Sequence, residues 1–260
     1  MTKKTELYDE FADYYDLMVD WQSRLDSESA FLRSVIDTAG ARRVLDLACG
    51  TGMHSILFAR WGLDVVAADP SESMLTKARA NAREAGVKVD FIQAGFGEMA
   101  ANGRDFDVVF CLGNSLPHLI SEHELSDALR DVYQVLRPGG VFLTQNRNYD
   151  KVWAEKNRFM PLDAVERGDK EIIFFRLLDF HAELITFNIV TLVKQAGKWS
   201  YAVRSTKHRP IFRRDLEGIL VNVGFSAPRF FGDLKGSGYD VSSSGDLVAL
   251  AEKAVVGERL

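Results

Sequence analysis

The run VLDLACGTGMHSI, residues 44–56, constrains the fold more than any other stretch. Val44 to Leu47 is an apolar segment too short for a helix, and Gly50-Thr51-Gly52 turns it directly into the helix-patterned MHSILFARWG. A strand that ends in glycines and opens a helix is the first half of a β-α-β unit. Such units commit a chain to a parallel sheet with helices packed on its faces. The next 90 or so residues obey that commitment. LDVVAADPS, VKVDFIQAGF, FDVVFCLGNS and GVFLTQN read as further strands, and ESMLTKARANAREAG is a strong helix closed by Gly86. Ser121 and Glu124 have capping-box spacing at the start of another helix, and Pro138-Gly139 is expected to end it. Upstream, Phe31, Leu32, Val35 and Ile36 share one face of a helix that stops at Gly40.

After Asp150 the pattern changes. EIIFFRLLDF, ELITFNIVTLVKQ and KWSYAVRSTKH are rich in β-branched and aromatic residues and are joined by short polar turns such as QAGKW. They predict a three-stranded antiparallel sheet, too small to stand alone. The helix FRRDLEGILVNVGF and two closing strands, PRFFGDL and GDLVALAEK, follow. The expected architecture is therefore α/β and Rossmann-like. Its core is formed by residues 1–150 and 210–260, with an inserted lid at 151–209. Long insertions at the C-terminal edge of such a sheet usually cover the ligand.

Composition narrows the partners. The chain has 260 residues, 47% apolar and 27% charged, in keeping with one globular domain and a lid. A net charge of −5 with no basic run argues against nucleic acid and against an anionic membrane surface. MTKKTELYDEFADYY lacks the apolar core of a signal peptide, and no apolar run approaches the ~20 residues of a membrane span. Cys49 and Cys111 lack metal or redox spacing, which predicts a reduced, cytoplasmic protein without a structural metal.

The glycine turn also bears on the cofactor. A dinucleotide fingerprint Gly-x-Gly-x-x-Gly fails, because Ser55 stands where the last glycine belongs. Asp46, inside the strand end, would repel a pyrophosphate and attract an ammonium group. Asp69 ends the next strand, where a carboxylate can accept hydrogen bonds from two ribose hydroxyls. A cofactor with a ribose, an ammonium and no pyrophosphate is S-adenosylmethionine, SAM, which leaves S-adenosylhomocysteine as product.

With those residues in place, the chain resembles the class I SAM-dependent methyltransferases along nearly its whole length, from YDEFADYYD to LVALAEK. The resemblance implies a seven-stranded, mostly parallel sheet carrying the inserted antiparallel lid. It also implies that Ala48 and Gly50 cradle the methionine part, Asp69 holds the ribose and Phe96 lies against the adenine. Relatives often carry an acidic or amide side chain one step before that phenylalanine, where this chain has Gly95. Tyr8 and Tyr15 match tyrosines that close over the cofactor, with Tyr14 at an aromatic position beside them. Packing of an amphipathic helix onto the sheet is the competing reading of these rings.

CLGNSLPHL and NRNYD, at the ends of the fourth and fifth strands, resemble the glycine N-methyltransferase group, including glycine/sarcosine methyltransferases. By that resemblance Arg147 grips an amino-acid carboxylate, for which its planar two-pronged guanidinium is suited. Asn114 contacts the substrate amine and Tyr149 stands with them. Leu112 and His118 touch the cofactor, and Arg24 meets its carboxylate. There are departures. Leu116-Pro117 replaces a Phe-Ala pair, Leu17 falls where a tyrosine is matched, and the lid offers Lys207 and His208 where the group has tyrosines. The expected methyl acceptor is a small molecule, methylated on the nitrogen of an amine or amino acid of the glycine/sarcosine kind, with glycine itself only one option. In-line transfer from a sulfonium demands alignment more than a base; if a base exists, His118 is the first candidate and His208 the second. Small-molecule O-methylation and a non-catalytic SAM-binding role remain open readings, as does monomer against homo-oligomer.

Overall fold

The computed structural model describes residues 6–101 and 103–255; residues 1–5, which begin the stretch read for a leader, lie outside it. Two helices lead in, α1 (Glu6–Met18) and α2 (Trp21–Ala39). β1 (Arg43–Leu47), α3 (Met53–Arg60), β2 (Asp64–Asp69), α4 (Glu72–Glu84) and β3 (Asp90–Gln93) form one half of the wound sheet. β4 (Phe106–Cys111), α5 (Glu122–Val135) and β5 (Leu136–Arg147) form the other, and α6 (Tyr149–Glu155) follows. The sheet is closed by α7 (Arg213–Val223), β10 (Arg229–Phe231) and β11 (Asp246–Glu252).

Its seven strands run β3-β2-β1-β4-β5-β11-β10. β1 to β5 are parallel to one another, β11 is antiparallel to β5, and β10 is antiparallel to β11. The central strands are apolar in their middles because both faces are covered. Val44, Val108 and Phe110 pack with Leu32, Val35 and Ile36 of α2 and Phe58 of α3. Their neighbours Leu45, Val109 and Cys111 face the other way, onto Leu125, Leu129 and Val132 of α5 and Leu216 and Leu220 of α7. The chain reverses its winding between β1 and β4, which opens a crevice at the C-terminal ends of those strands.

The expected cap of α5 is present: Ser121 Oγ accepts from the Glu124 N–H at 3.1 Å, and Glu124 Oε2 accepts from the Ile120 N–H at 2.8 Å. The end of that helix differs from the expectation. It stops at Val135, and Pro138-Gly139 lies within the irregular start of β5, where the β4–β5 register shifts between Phe106 and Val108. A residue before proline is driven out of the helical region, so the chain leaves the helix ahead of the proline itself.

The insert is a four-stranded antiparallel sheet, not a three-stranded one: β6 (Asp163–Arg167), β7 (Lys170–Phe180), β8 (Ile185–Gln195) and β9 (Lys198–His208). The extra strand, DAVER, is an edge strand with three charged residues and none fully buried. Such a strand carries no hydrophobic period to announce it. The lid's inner face packs Phe174, Leu178, Ile185 and Phe187 against Leu7 and Phe11 of α1 and against Tyr149. α1 therefore bridges lid and sheet. Among the described residues no helix is long and apolar enough to cross a membrane, and no group of three or more His, Cys, Asp or Glu could hold a metal ion. Cys49 and Cys111 are free thiols.

Candidate functional site

The turn after β1 is built from left-handed residues: Ala48 at φ +61°, Gly50 at +56° and Gly52 at +78°. At Gly52 both conformation and space demand glycine, since a Cβ would meet Ala78 Cβ at 3.0 Å and the Phe91 ring at 3.2 Å. Gly52→Ala is expected to destabilise the fold by about 2 kcal/mol or more, from the strained φ and the overpacking together. Thermal unfolding beside the wild type measures this, and an unchanged midpoint would show that the turn yields. Ala48, whose Cβ is tolerated at positive φ, is held in a strained conformation at the cavity wall.

Two carboxylates flank this turn. Asp46 is 2% exposed and accepts a 2.5 Å hydrogen bond from Ser55 Oγ. Burial raises its pKa against the opposing pull of His54 and Ser55. Asp69 accepts the Gly50 N–H on one oxygen and the Ser71 N–H on the other, both at 2.9 Å. Burial pushes Asp69 up to about 6, those two amides counter it, and Asp46 and Asp9 add repulsion. A carboxylate so placed ties the glycine turn to β2 and still has lone pairs for two more donors.

A cavity of about 280 Å3 opens over these groups, at the crevice between β1 and β4. Ten of the sequence-expected cofactor residues line it: Asp46, Ala48, Gly50 and Asp69 from the strand ends, Phe96 after β3, and Leu112 and His118 after β4 are joined by Tyr8, Tyr15 and Arg24 from the two leading helices. Tyr14 does not line it. That ring packs between Phe11 and Phe174 in the α1–lid core. Other lining residues were not expected. His54 Nε2 lies 2.7 Å from Glu28 Oε2, and Arg24 Nε donates to Glu28 Oε1 at 2.9 Å with its guanidinium 5.3 Å from the Trp21 ring centre. Burial would raise Glu28, but hydrogen bonds from His54 and Arg24 hold it below its ordinary range. Glu98 stands beside Phe96, and its Oε2 accepts the Gly95 N–H at 2.7 Å. An acidic side chain thus lines the cavity three residues after Gly95, which only the fold of that loop reveals.

α1 is latched over the cavity by a stripe of aspartates at helical spacing. Asp9 accepts from Ser71 Oγ at 2.6 Å, Asp13 pairs with Lys77 at 2.8 Å, and Asp16 accepts from Thr51 Oγ1 at 2.6 Å and Trp21 Nε1 at 2.8 Å. Beneath it Tyr8 Oη lies 2.8 Å from His118 Nε2.

Beyond His118, on the lid side, the other expected residues form a connected group. The Arg147 N–H donates to Asn114 Oδ1 at 3.0 Å, Asn114 Nδ2 donates to Tyr149 Oη at 3.2 Å, and Tyr149 Oη is 3.3 Å from His208 Nδ1. Asn114 sits at φ +65°, a conformation asparagine tolerates better than most residues. The Arg147 guanidinium reaches Met160 Sδ at 3.0 Å and lies 5.7 Å from the Phe187 ring centre. No carboxylate among the described residues pairs with it. Asp246, its partner in the β5–β11 register, feels its charge but hydrogen-bonds Gln145. The rest of the polar run at and after the end of β5 is structural: Gln145 caps Gly113, Asn148 binds the carbonyls of Val241 and Ser244, and Asp150 takes the Arg213 N–H. Lys207 is exposed and lies on the face of β9 opposite His208, away from this group.

Residues 44–140 match the family described as a methyltransferase domain. The glycine/sarcosine N-methyltransferase of Parasynechococcus marenigrum is 40% identical over 149 residues, 56% of this chain and 52% of that protein. The glycine N-methyltransferase of Rattus norvegicus is 36% identical over 199 residues, 69% of this chain and 66% of that protein. The chain spans about half the length of the glycine/sarcosine relatives it matches. A S-adenosylmethionine-dependent methyltransferase from Clostridium acetobutylicum superposes with a TM-score of 0.77 at 20% identity, over 95% of this chain and 99% of the other. The fold is that of the class I methyltransferases, with the seven-stranded sheet and antiparallel insert expected from sequence.

Proposed function

We propose that this chain, whose residues 44–140 are a methyltransferase domain, transfers a methyl group from SAM to the nitrogen of a small amine that also bears a carboxylate. The observation that carries this reading is the Arg147 guanidinium. It stands half-buried at the end of β5, held by a thioether and an aromatic ring where a counter-ion would be expected. A buried charge without a partner is costly, and an anionic ligand end relieves that cost.

The cavity suits the cofactor by the chemistry of its donor set. Asp46 and Arg24, the latter paired with Glu28, would hold a zwitterionic amino-acid end, Asp69 would hold a ribose, and Phe96 with Glu98 would flank an adenine. When bound, SAM supplies an electrophilic methyl group on a sulfonium. The chain's own residues then position rather than react. Arg147 orients the acceptor by its anionic end, Asn114 and Tyr149 fix the amine's approach, and α1 with the lid excludes water. Alignment of this kind is worth about 7–11 kcal/mol.

Calorimetry with SAM and S-adenosylhomocysteine is the first test, and saturable binding of both is expected. A labelled-SAM screen of glycine, sarcosine, larger amino acids, amines without a carboxylate, and phenols then selects the acceptor. Turnover should be confined to amines bearing a carboxylate. Absence of SAM binding up to millimolar concentration sinks the proposal, and equal turnover of phenols moves it to O-methylation.

A further inference from the structure

The buried hydrogen-bond chain that ends on His208 has a fixed direction. A backbone N–H can only donate, so the Arg147 amide makes the facing atom of Asn114 its carbonyl oxygen. The Asn114 amide nitrogen must therefore donate to Tyr149 Oη. Burial raises the Tyr149 phenol pKa, so its proton stays and is free to point onward, to His208 Nδ1. Nδ1 is then an acceptor. Desolvation, with the nearby charges of His118 and Arg147, holds His208 well below its ordinary pKa, so the ring is neutral and carries its one proton on Nε2. That nitrogen is buried, in a side chain only 4% exposed, and has no hydrogen-bond partner among the described residues. Its ring stacks on Phe187, which also carries the Arg147 guanidinium, and meets the His118 ring edge-on at 4.5 Å between centres.

An orphaned buried donor beside an uncompensated cation calls for an oxygen. We propose that His208 is locked as the Nε2–H tautomer and gives that hydrogen bond to an oxygen of the methyl acceptor, reading the acceptor rather than deprotonating it. This rests on the methyl-transfer reading above and deepens it. The acceptor must offer a hydrogen-bonding oxygen within reach of its amine, which a carboxylate supplies and a simple alkylamine does not. It also removes His208 as a base, since the lone pair a base needs is already occupied by Tyr149. With His118 Nε2 engaged by Tyr8, the amine has to arrive unprotonated from solution.

The tautomer is read directly by nitrogen-15 NMR of the ring-labelled protein, with His208→Asn to assign the signals. A protonated Nε2 and an unprotonated Nδ1 at neutral pH are expected. In Tyr149→Phe, with the Nδ1 partner gone, the two signals should move toward a mixture of tautomers. Kinetics with sarcosine, and with each carboxylate-bearing amine that the wild type methylates, then tests the contact. His208→Phe should raise the acceptor KM about tenfold more than it lowers kcat, as for loss of one buried hydrogen bond, and His208→Gln, which keeps a donor, should recover most of it. A protonated Nδ1 or a cationic ring overturns the assignment while leaving methyl transfer standing. So does a loss confined to kcat with a displaced pH profile, the mark of a base. If the wild type methylates none of these amines although the tautomer is as expected, the methyl-transfer reading fails and the contact with it.

Discussion

Replacing Arg147 with alanine is expected to lower kcat/KM for a carboxylate-bearing amine by about 10²–10³-fold while leaving SAM affinity nearly unchanged, since removing one partner of a buried charge pair costs about 2–5 kcal/mol. The split follows from the side chain's position. Its head lies among Met160, Phe187 and the Tyr149 group, and it does not line the cofactor cavity. Its backbone N–H, which holds Asn114, survives the substitution. Arg147→Lys tests the same point more finely: the charge is kept but the two-pronged grip is lost, so a partial defect should remain. Equal loss of turnover and of SAM binding, measured by calorimetry on the same preparation, would assign Arg147 to the fold or to the cofactor.

Asp69→Ala is the second large effect. It removes the proposed acceptor for a ribose diol together with the anchors of the Gly50 and Ser71 amides. SAM affinity should fall about 100-fold or more, since hydrogen bonds to a charged group contribute about 1.5–3 kcal/mol each. The wild type should also show a pH signature. Hydroxyls donate to the ionised carboxylate, so binding favours that form, and affinity should weaken as pH falls through about 6, the pKa of Asp69, and level off above it. Asp69→Asn should remove that step, leaving only what Asp46 contributes. The sign is opposite for stability of the unliganded fold. A carboxylate raised by burial stabilises most below its unfolded pKa, and that contribution is lost as pH rises through about 6. A pH-independent SAM affinity between pH 5 and 7 would remove Asp69 from the ribose site.

What the sequence made legible is what is local. Asp46, Gly50 and Gly52 fall within one strand-to-helix turn, so their spacing carries their geometry, and the alternation of strand and helix carries the sheet order. The grouping of Arg24 and Glu28 with His54 was not legible, because α2 and α3 are far apart in sequence and touch only once both have packed on the sheet. Neither was Glu98, whose role depends on how the loop after β3 folds back on Gly95. Lys207 and His208 differ by strand parity alone. A strand shows alternate residues to opposite faces, and only the observed pairing of His208 with Ile185 decides which of the two is inside. The fourth lid strand escaped because its residues answer to solvent rather than to a core.

The latch of α1 carries a kinetic consequence. One helix supplies Tyr8 and Tyr15 to the cofactor cavity, Phe11 and Tyr14 to the lid core, and three aspartates to the glycine turn and α4. A door hung on both rooms cannot open for one occupant alone. On the proposed function, the helix that closes the cofactor cavity also packs against the insert beside Tyr149, so release of one ligand is expected to disturb the other. Ordered kinetics are therefore the expected result, SAM binding before the acceptor and S-adenosylhomocysteine leaving last, and a product-inhibition pattern with random order would show that α1 does not gate both sites.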